Sequence, residues 1–290
     1  MMGAAPDRTS AASAEAQALA AELPPLLAEA ETIAASLTIG EHGRRKSGDG
    51  ADFWQFRRYQ SGDPATAVDW RQSARSQPLY VRETEWTAAQ PVWLWVDGSA
   101  SLDWHSGPAL PRKRQRALLL ALTIAALLLK SGERVGVLGA SQPPAAGRAL
   151  LPRLAAALFA CGDHLPAQEL GRGGHLLLLS DFLPPHGDMA LRLRHWAENG
   201  SKGHLLQVLD PAEEALPYEG RLRFDGLKGE ASLHTLRAED LRRGYAARLA
   251  ELRDGLRIMT QPLGWSFQTH VTDETPRDGA LKLHRSLAGA

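Results

Sequence analysis

The amino-acid sequence predicts an α/β domain built as a doubly wound, mostly parallel sheet, preceded by an irregular N-terminal collar. Three observations carry this. The runs PVWLWV (91–96) and HLLLL (175–179) end abruptly at Asp97-Gly98 and Ser180-Asp181, as strands buried on both faces do. Strand-like and helix-like segments alternate from residue 91 onward, the cadence of parallel strands joined by crossover helices. The 290 residues, 44% of them hydrophobic, suffice for one large core, or one domain with a smaller attachment.

In chain order, residues 1–20 are rich in Ala and Ser and are expected to form a mobile tail, followed by a short helix at 26–37. Residues 37–88 form the collar. Phe53, Trp54, Phe56, Tyr59 and Trp70 lie there without a sustained helical or strand period, so an ordered irregular segment is expected. The α/β domain is placed at 89–275. After the strand at 91–96 comes a helix at 112–130, closed by Ser131-Gly132. Short strands are expected at 134–138 and 149–151 around the turn SQPPAAG, then a helix at 154–160 and the strand at 175–179. Asp188 opens a helix that runs to Asn199-Gly200, and 203–209 is the next strand. Residues 221–224 and 231–235 read as a hairpin. A long helix at 238–259 leads to an alternating strand bearing Trp265, Phe267, Thr269 and Val271. Thr275-Pro276 with Asp278 reads as a capping box for a last helix or tail at 276–290.

Composition excludes several function classes. Basic and acidic residues balance at 33 each, so no global field draws the chain to nucleic acid or an anionic membrane. A protein partner is expected instead. The single cysteine, Cys161, cannot form an internal disulfide and reads as a structural thiol. The N-terminus has no basic segment followed by an apolar one, as a secretory signal requires. The longest apolar run, 117–129, falls short of the roughly 18 residues a membrane span needs. A cytoplasmic protein without a transmembrane segment is expected.

In an open parallel sheet, ligands bind beyond the carboxyl ends of the strands. Asp97-Gly98-Ser99-Ala100-Ser101 and Ser180-Asp181 occupy such places, and two central strands would bring them side by side. Their hard oxygens suit Mg²⁺ or Mn²⁺ and not zinc. Asp97, Ser99, Ser101 and Asp181 are therefore the candidate metal ligands. The alternative is that Ser99, Ser101, Asp103 and Asp181 satisfy backbone N–H groups at helix starts. The basic cluster Arg112, Lys113, Arg114 and Arg116 reads as a solvated helix end, although cations there oppose the helix dipole.

Two resemblances follow from these residues. Asp97, Ser99 and Ser101 resemble the D-x-S-x-S of the metal-ion-dependent adhesion site of von Willebrand factor A domains, with Asp181 matching the aspartate after their fourth strand. The resemblance implies a metal with one position open to a partner's acidic side chain. It also implies a threonine between the two places, yet none occurs between Thr123 and Thr235, so the site reads as degenerate. Upstream, Gly40-Glu41-His42, Gly48 to Phe53, Arg58-Tyr59, Gly62-Asp63, Val68-Asp69-Trp70 and Ser73-Ala74-Arg75 resemble the signature of the bacterial family of domain of unknown function 58. In that family the signature precedes a von Willebrand factor A-like domain, and the likeness spans about residues 37–210. Asp52 and Pro64 depart from the family pattern. The family implies partnership with a MoxR-type AAA+ ATPase.

Between Glu41 and Glu85 stand eight Arg or Lys and seven Asp or Glu, a near-neutral density that favours an ion-paired network over a nucleic-acid patch. His42, Arg58, Asp63, Asp69, Trp70 and Arg75 are its candidate members, as a brace or a docking surface. Arg58, Asp69 and Arg75 are expected to be buried and paired. The sequence holds no P-loop, no dinucleotide fingerprint in the right context and no H-E-x-x-H. The expectation is thus a non-enzymatic protein-binding module with Mg²⁺ or Mn²⁺ as the possible cofactor. The rival readings are a metal-dependent hydrolase on Asp97 and Asp181, one using Ser99 with a histidine such as His186, and a metal-free adaptor.

Overall fold

The computed structural model describes residues 8–40, 53–58, 68, 70–73, 79–84, 90–183, 188–227 and 231–288. The chain divides into two compact units, one formed by residues 1–40 and 90–290, the other by 41–89.

Helix α1 spans Arg8–Gly40 with Pro24 and Pro25 inside it, longer than the helix expected at 26–37. Leu23, Ala30, Ala34 and Leu37 recur at helical spacing and are buried in the core. In the second unit, β1 (Phe53–Arg58) pairs antiparallel with β2 (Tyr80–Thr84), and the one-turn helix α2 (Trp70–Ser73) lies between them in sequence. The expectation of a segment without strands is corrected here. The β1 pairing shifts register between Phe53 and Gln55, and such an irregularity breaks the two-residue period by which a strand is recognised.

The first unit continues with β3 (Val92–Val96), α3 (Lys113–Lys130), β4 (Val135–Val137), α4 (Leu151–Phe159), β5 (His175–Ser180), α5 (Met189–Glu198), β6 (Lys202–Leu209) and α6 (Pro211–Ala215). A small hairpin of β7 (Leu222–Phe224) and β8 (Leu233–Thr235) follows, then α7 (Arg242–Thr260), β9 (Ser266–Val271) and α8 (Pro276–Ala288). Residues 149–151, expected as a strand, instead end a 3₁₀ turn (Arg148–Leu150) and open α4. A three-residue apolar run cannot distinguish a strand from a buried helix start.

Five strands form one parallel sheet in the order β4-β3-β5-β6-β9. Successive residues along each strand point their side chains to opposite faces, and both faces are covered. Leu94, Leu177, Leu179, Leu206 and Val208 pack with α1, α3, α4 and α8. Trp93, Trp95, Leu176, Leu178 and Leu205 pack with Leu193 and Trp196 of α5 and Leu256 of α7. This is the doubly wound α/β class expected from the sequence. The chain leaves β3 toward β4 on one side and returns to β5 on the other, so the switch point of the sheet lies between the ends of β3 and β5. No helix among the described residues is long and apolar enough to cross a membrane.

Candidate functional site

At the carboxyl edge, β3, β5 and β6 each end in an aspartate: Asp97, Asp181 (after Ser180) and Asp210. The Asp97 N–H donates to the Leu179 carbonyl at 2.9 Å, extending the β3–β5 pairing to the rim. Gly98 is required by the turn packed on it. A Cβ there would stand 2.0 Å from the Cys161 carbonyl oxygen.

Asp97 is buried, and each of its carboxylate oxygens accepts a hydrogen bond. Its Oδ1 accepts from the Ser99 N–H at 2.7 Å and its Oδ2 from the Ser180 hydroxyl at 2.6 Å. Burial pushes its carboxyl above the ordinary carboxylate range, with Asp181 adding to the rise against the Ser180 and Ser99 hydrogen bonds. The Ser99 and Ser101 hydroxyls bond each other at 2.9 Å. Ser99 precedes a 3₁₀ turn, Ala100–Asp103, without capping it through its side chain, and Asp103 is half-exposed, 3.8 Å from Arg112. Simple helix capping therefore does not account for these residues.

Asp181 is held as tightly. Its Oδ1 accepts from the Leu183 N–H at 3.1 Å, and its Oδ2 from the Lys113 ammonium at 3.0 Å. Its carbonyl accepts from the Gln207 side chain at 3.0 Å. Phe182, the next residue, takes a positive φ of 53°, a strained conformation for a side chain of this size. Its buried side chain belongs to the same core cluster as Trp196, and its N–H donates to the Ser180 hydroxyl at 2.9 Å.

The decisive residue is one the sequence placed in solvent. Lys113 opens α3 with its side chain wholly buried, donating to Asp181 at 3.0 Å and to Glu213 at 2.6 Å. Glu213 is presented by the capping box of α6: its other oxygen accepts from the Asp210 N–H at 2.9 Å, while Asp210 Oδ1 accepts from Ala212 N–H at 2.8 Å. Asp210 Oδ2 takes the Ser106 N–H at 2.9 Å, tying the loop after β3 to the end of β6. Burial raises the Glu213 carboxyl above its ordinary range despite the ammonium beside it. The solvated-helix-end reading fails elsewhere too. Arg114 donates to the Phe159 carbonyl and covers the Phe159 ring, and buried Arg116 donates to the Glu274 carbonyl. Asp210-Pro211-Ala212-Glu213 after a strand is a capping signal that could have pointed to Glu213. No local signal marks Lys113 as buried.

These oxygens do not fit a resident divalent cation as they stand. Each carboxylate oxygen of Asp97 and Asp181 already accepts a hydrogen bond, and an ammonium lies on Asp181. Among the described residues no three His, Cys, Asp or Glu side chains converge as a metal cage would require. Of the collar candidates, Arg58 and Trp70 are exposed, which corrects the expectation that Arg58 is buried. His42, Asp63, Asp69 and Arg75 lie outside the described residues, as does His186.

A sequence model of the family described as "Protein of unknown function DUF58" matches residues 55–255. Uncharacterized proteins of Mycobacterium tuberculosis and Mycobacterium bovis are 31% identical over 252 residues, covering 77% of this chain and 77% of theirs. Among solved structures, an aerotolerance-related membrane protein from Bacteroides fragilis is similar at a TM-score of 0.36 and 13% identity, over 69% of this chain and 100% of that one. The conserved hypothetical protein BatB from Bacteroides thetaiotaomicron is similar at 0.37 and 13%, over 69% and 98%.

Proposed function

This chain belongs to the DUF58 family of proteins of unknown function, and from that premise we propose that it is a non-enzymatic protein-binding module working with a MoxR-type AAA+ ATPase. The strand-end rim of its sheet is the docking face. The observation that supports this reading is the closure of the rim on itself: buried Asp97 accepts from Ser180, and Asp181, the next residue, shares the buried Lys113 ammonium with Glu213. A general acid or base must reach a substrate atom within hydrogen-bond distance, and a carboxylate buried with both oxygens engaged is poorly placed for it. The same network holds the loops after β3, β5 and β6 in one arrangement, and a pre-organised surface loses little freedom on binding.

Purified chain and a MoxR-type ATPase, titrated against each other in each nucleotide state, should form a complex. Reversing the exposed rim charges together, Asp103→Arg with Arg112→Glu, should weaken it by about tenfold. Failure to bind in every nucleotide state overturns the partnership. Turnover of ester or phosphate substrates that disappears in Asp181→Ala would establish the hydrolase instead.

A further inference from the structure

We infer that Lys113 is a tethered cation: its ammonium, bridging Asp181 and Glu213, takes the place of a divalent ion, so this rim is closed to Mg²⁺ and Mn²⁺ and holds its shape without them. The inference deepens the binding reading above and rests on its closed rim, but it does not depend on which partner docks.

The sheet brings Asp97, Asp181 and Glu213 to one edge, all removed from solvent to a large extent. Buried carboxylates need a compensating charge and donors for their lone pairs. In a site of serine hydroxyls and aspartates, a hard divalent ion commonly meets that need, held by one or two carboxylates with waters completing its shell. Here the side chain of Lys113 meets it. The residue stands first in α3, where a positive charge opposes the helix dipole, so the helix itself gives no reason for a lysine there. Its side chain is 0% exposed and reaches Asp181 and Glu213 at 3.0 and 2.6 Å. A lysine head is a compact point charge with three donors, which suits it to two carboxylates at once.

Three details fit the substitution. Glu213 is not a chance neighbour, because the α6 capping box fixes its second oxygen on the Asp210 N–H. Asp97, further along the rim, is satisfied by Ser180 and Ser99 with no cation in contact. The two serines that would ligate a metal spend their hydroxyls on each other. A divalent ion entering this rim would meet a buried ammonium of like charge, whereas one entering after loss of the ammonium would meet two uncompensated carboxylates.

The test is a Mn²⁺ titration of the full chain, followed by loss of the free-ion electron paramagnetic resonance signal and by melting temperature. Wild type should show no saturable binding at millimolar Mn²⁺ and no change in melting. Lys113→Ala should bind Mn²⁺ saturably and be stabilised by it, and Asp181→Asn added to that variant should abolish both effects. Saturable wild-type binding that is lost in Asp97→Asn or Asp181→Asn overturns the inference, as does a folded Lys113→Ala that ignores Mn²⁺ and Mg²⁺. Should Lys113→Ala fold only with help, refolding is the readout. Recovery with Mn²⁺ and not without supports the tethered cation, and no recovery with either metal overturns it. None of these measurements involves the ATPase, so loss of this inference and loss of the partnership are separately visible.

Discussion

At the residue scale the buried charges dominate. Removing one partner of a buried ion pair leaves the other uncompensated, so Lys113→Met should lower stability by about 3–5 kcal/mol, read from the denaturant midpoint. Neutralising Asp181 and Glu213 in the same chain should recover much of that loss. Titration gives a second expectation. His204 is pushed down to about 4, first by burial and then by His175 and Lys202, while its ring stacks on His175 with centroids 5.5 Å apart and bonds Ser266 at 2.9 Å. A histidine depressed in the folded state takes up its proton more readily when unfolded. Its contribution is complete above the ordinary value of 6.5 and is lost as pH falls from there toward 4. The loss is on the order of 3 kcal/mol. Melting temperature against pH should fall over that window, and His204→Gln should flatten the fall. Asp97 acts with the opposite sign: a carboxyl raised above 3.8 makes folding less favourable as pH rises past that value. Asp97 itself was legible in the sequence because it ends an apolar run. His204 was not marked, because nothing in its neighbourhood says that Ser266 will lie beside it.

Among the elements, close packing of β6 and β9 gives the clearest test. A Cβ on Gly203 would stand 1.8 Å from the Trp265 ring, whose indole N–H donates to the Ser201 carbonyl at 3.1 Å. Gly203→Ala must therefore displace a buried Trp, and a loss of about 1–3 kcal/mol is expected from the chemical denaturation midpoint. At the other end of β9, the Thr275 hydroxyl accepts from the Asp278 N–H at 3.3 Å, the first half of the capping box expected for α8, while the Asp278 carboxylate accepts from that hydroxyl at 2.7 Å. The apolar strands and α3 were legible because each is an uninterrupted apolar run that ends at turn residues. The start of α4 and the β1–β2 ribbon were not: one begins in a run of three apolar residues, and the other carries a register shift.

At the scale of the whole molecule, one face of the sheet is closed by four helices from distant parts of the chain. Leu23, Ala30, Ala34 and Leu37 of α1 join the core formed with α3, α4 and α8. Deleting residues 1–40 should uncover that apolar face, lowering the melting temperature by several degrees and raising binding of a hydrophobic dye. A truncated chain that melts like the full one would show that α1 adds nothing to this core.

The sequence alone determined the doubly wound class and the convergence of the Asp97 and Asp181 loops. Hydrophobic period, turn chemistry and the rule that strand ends share one edge are all carried by neighbouring residues. It could not determine what sits between those loops. Lys113 finds Asp181 and Glu213 across 68 and 100 residues of chain, and a local reading of a basic helix start assigns it to solvent. Only the folded sheet, which removes water from all three groups together, decides that the positive charge at this rim comes from the chain itself.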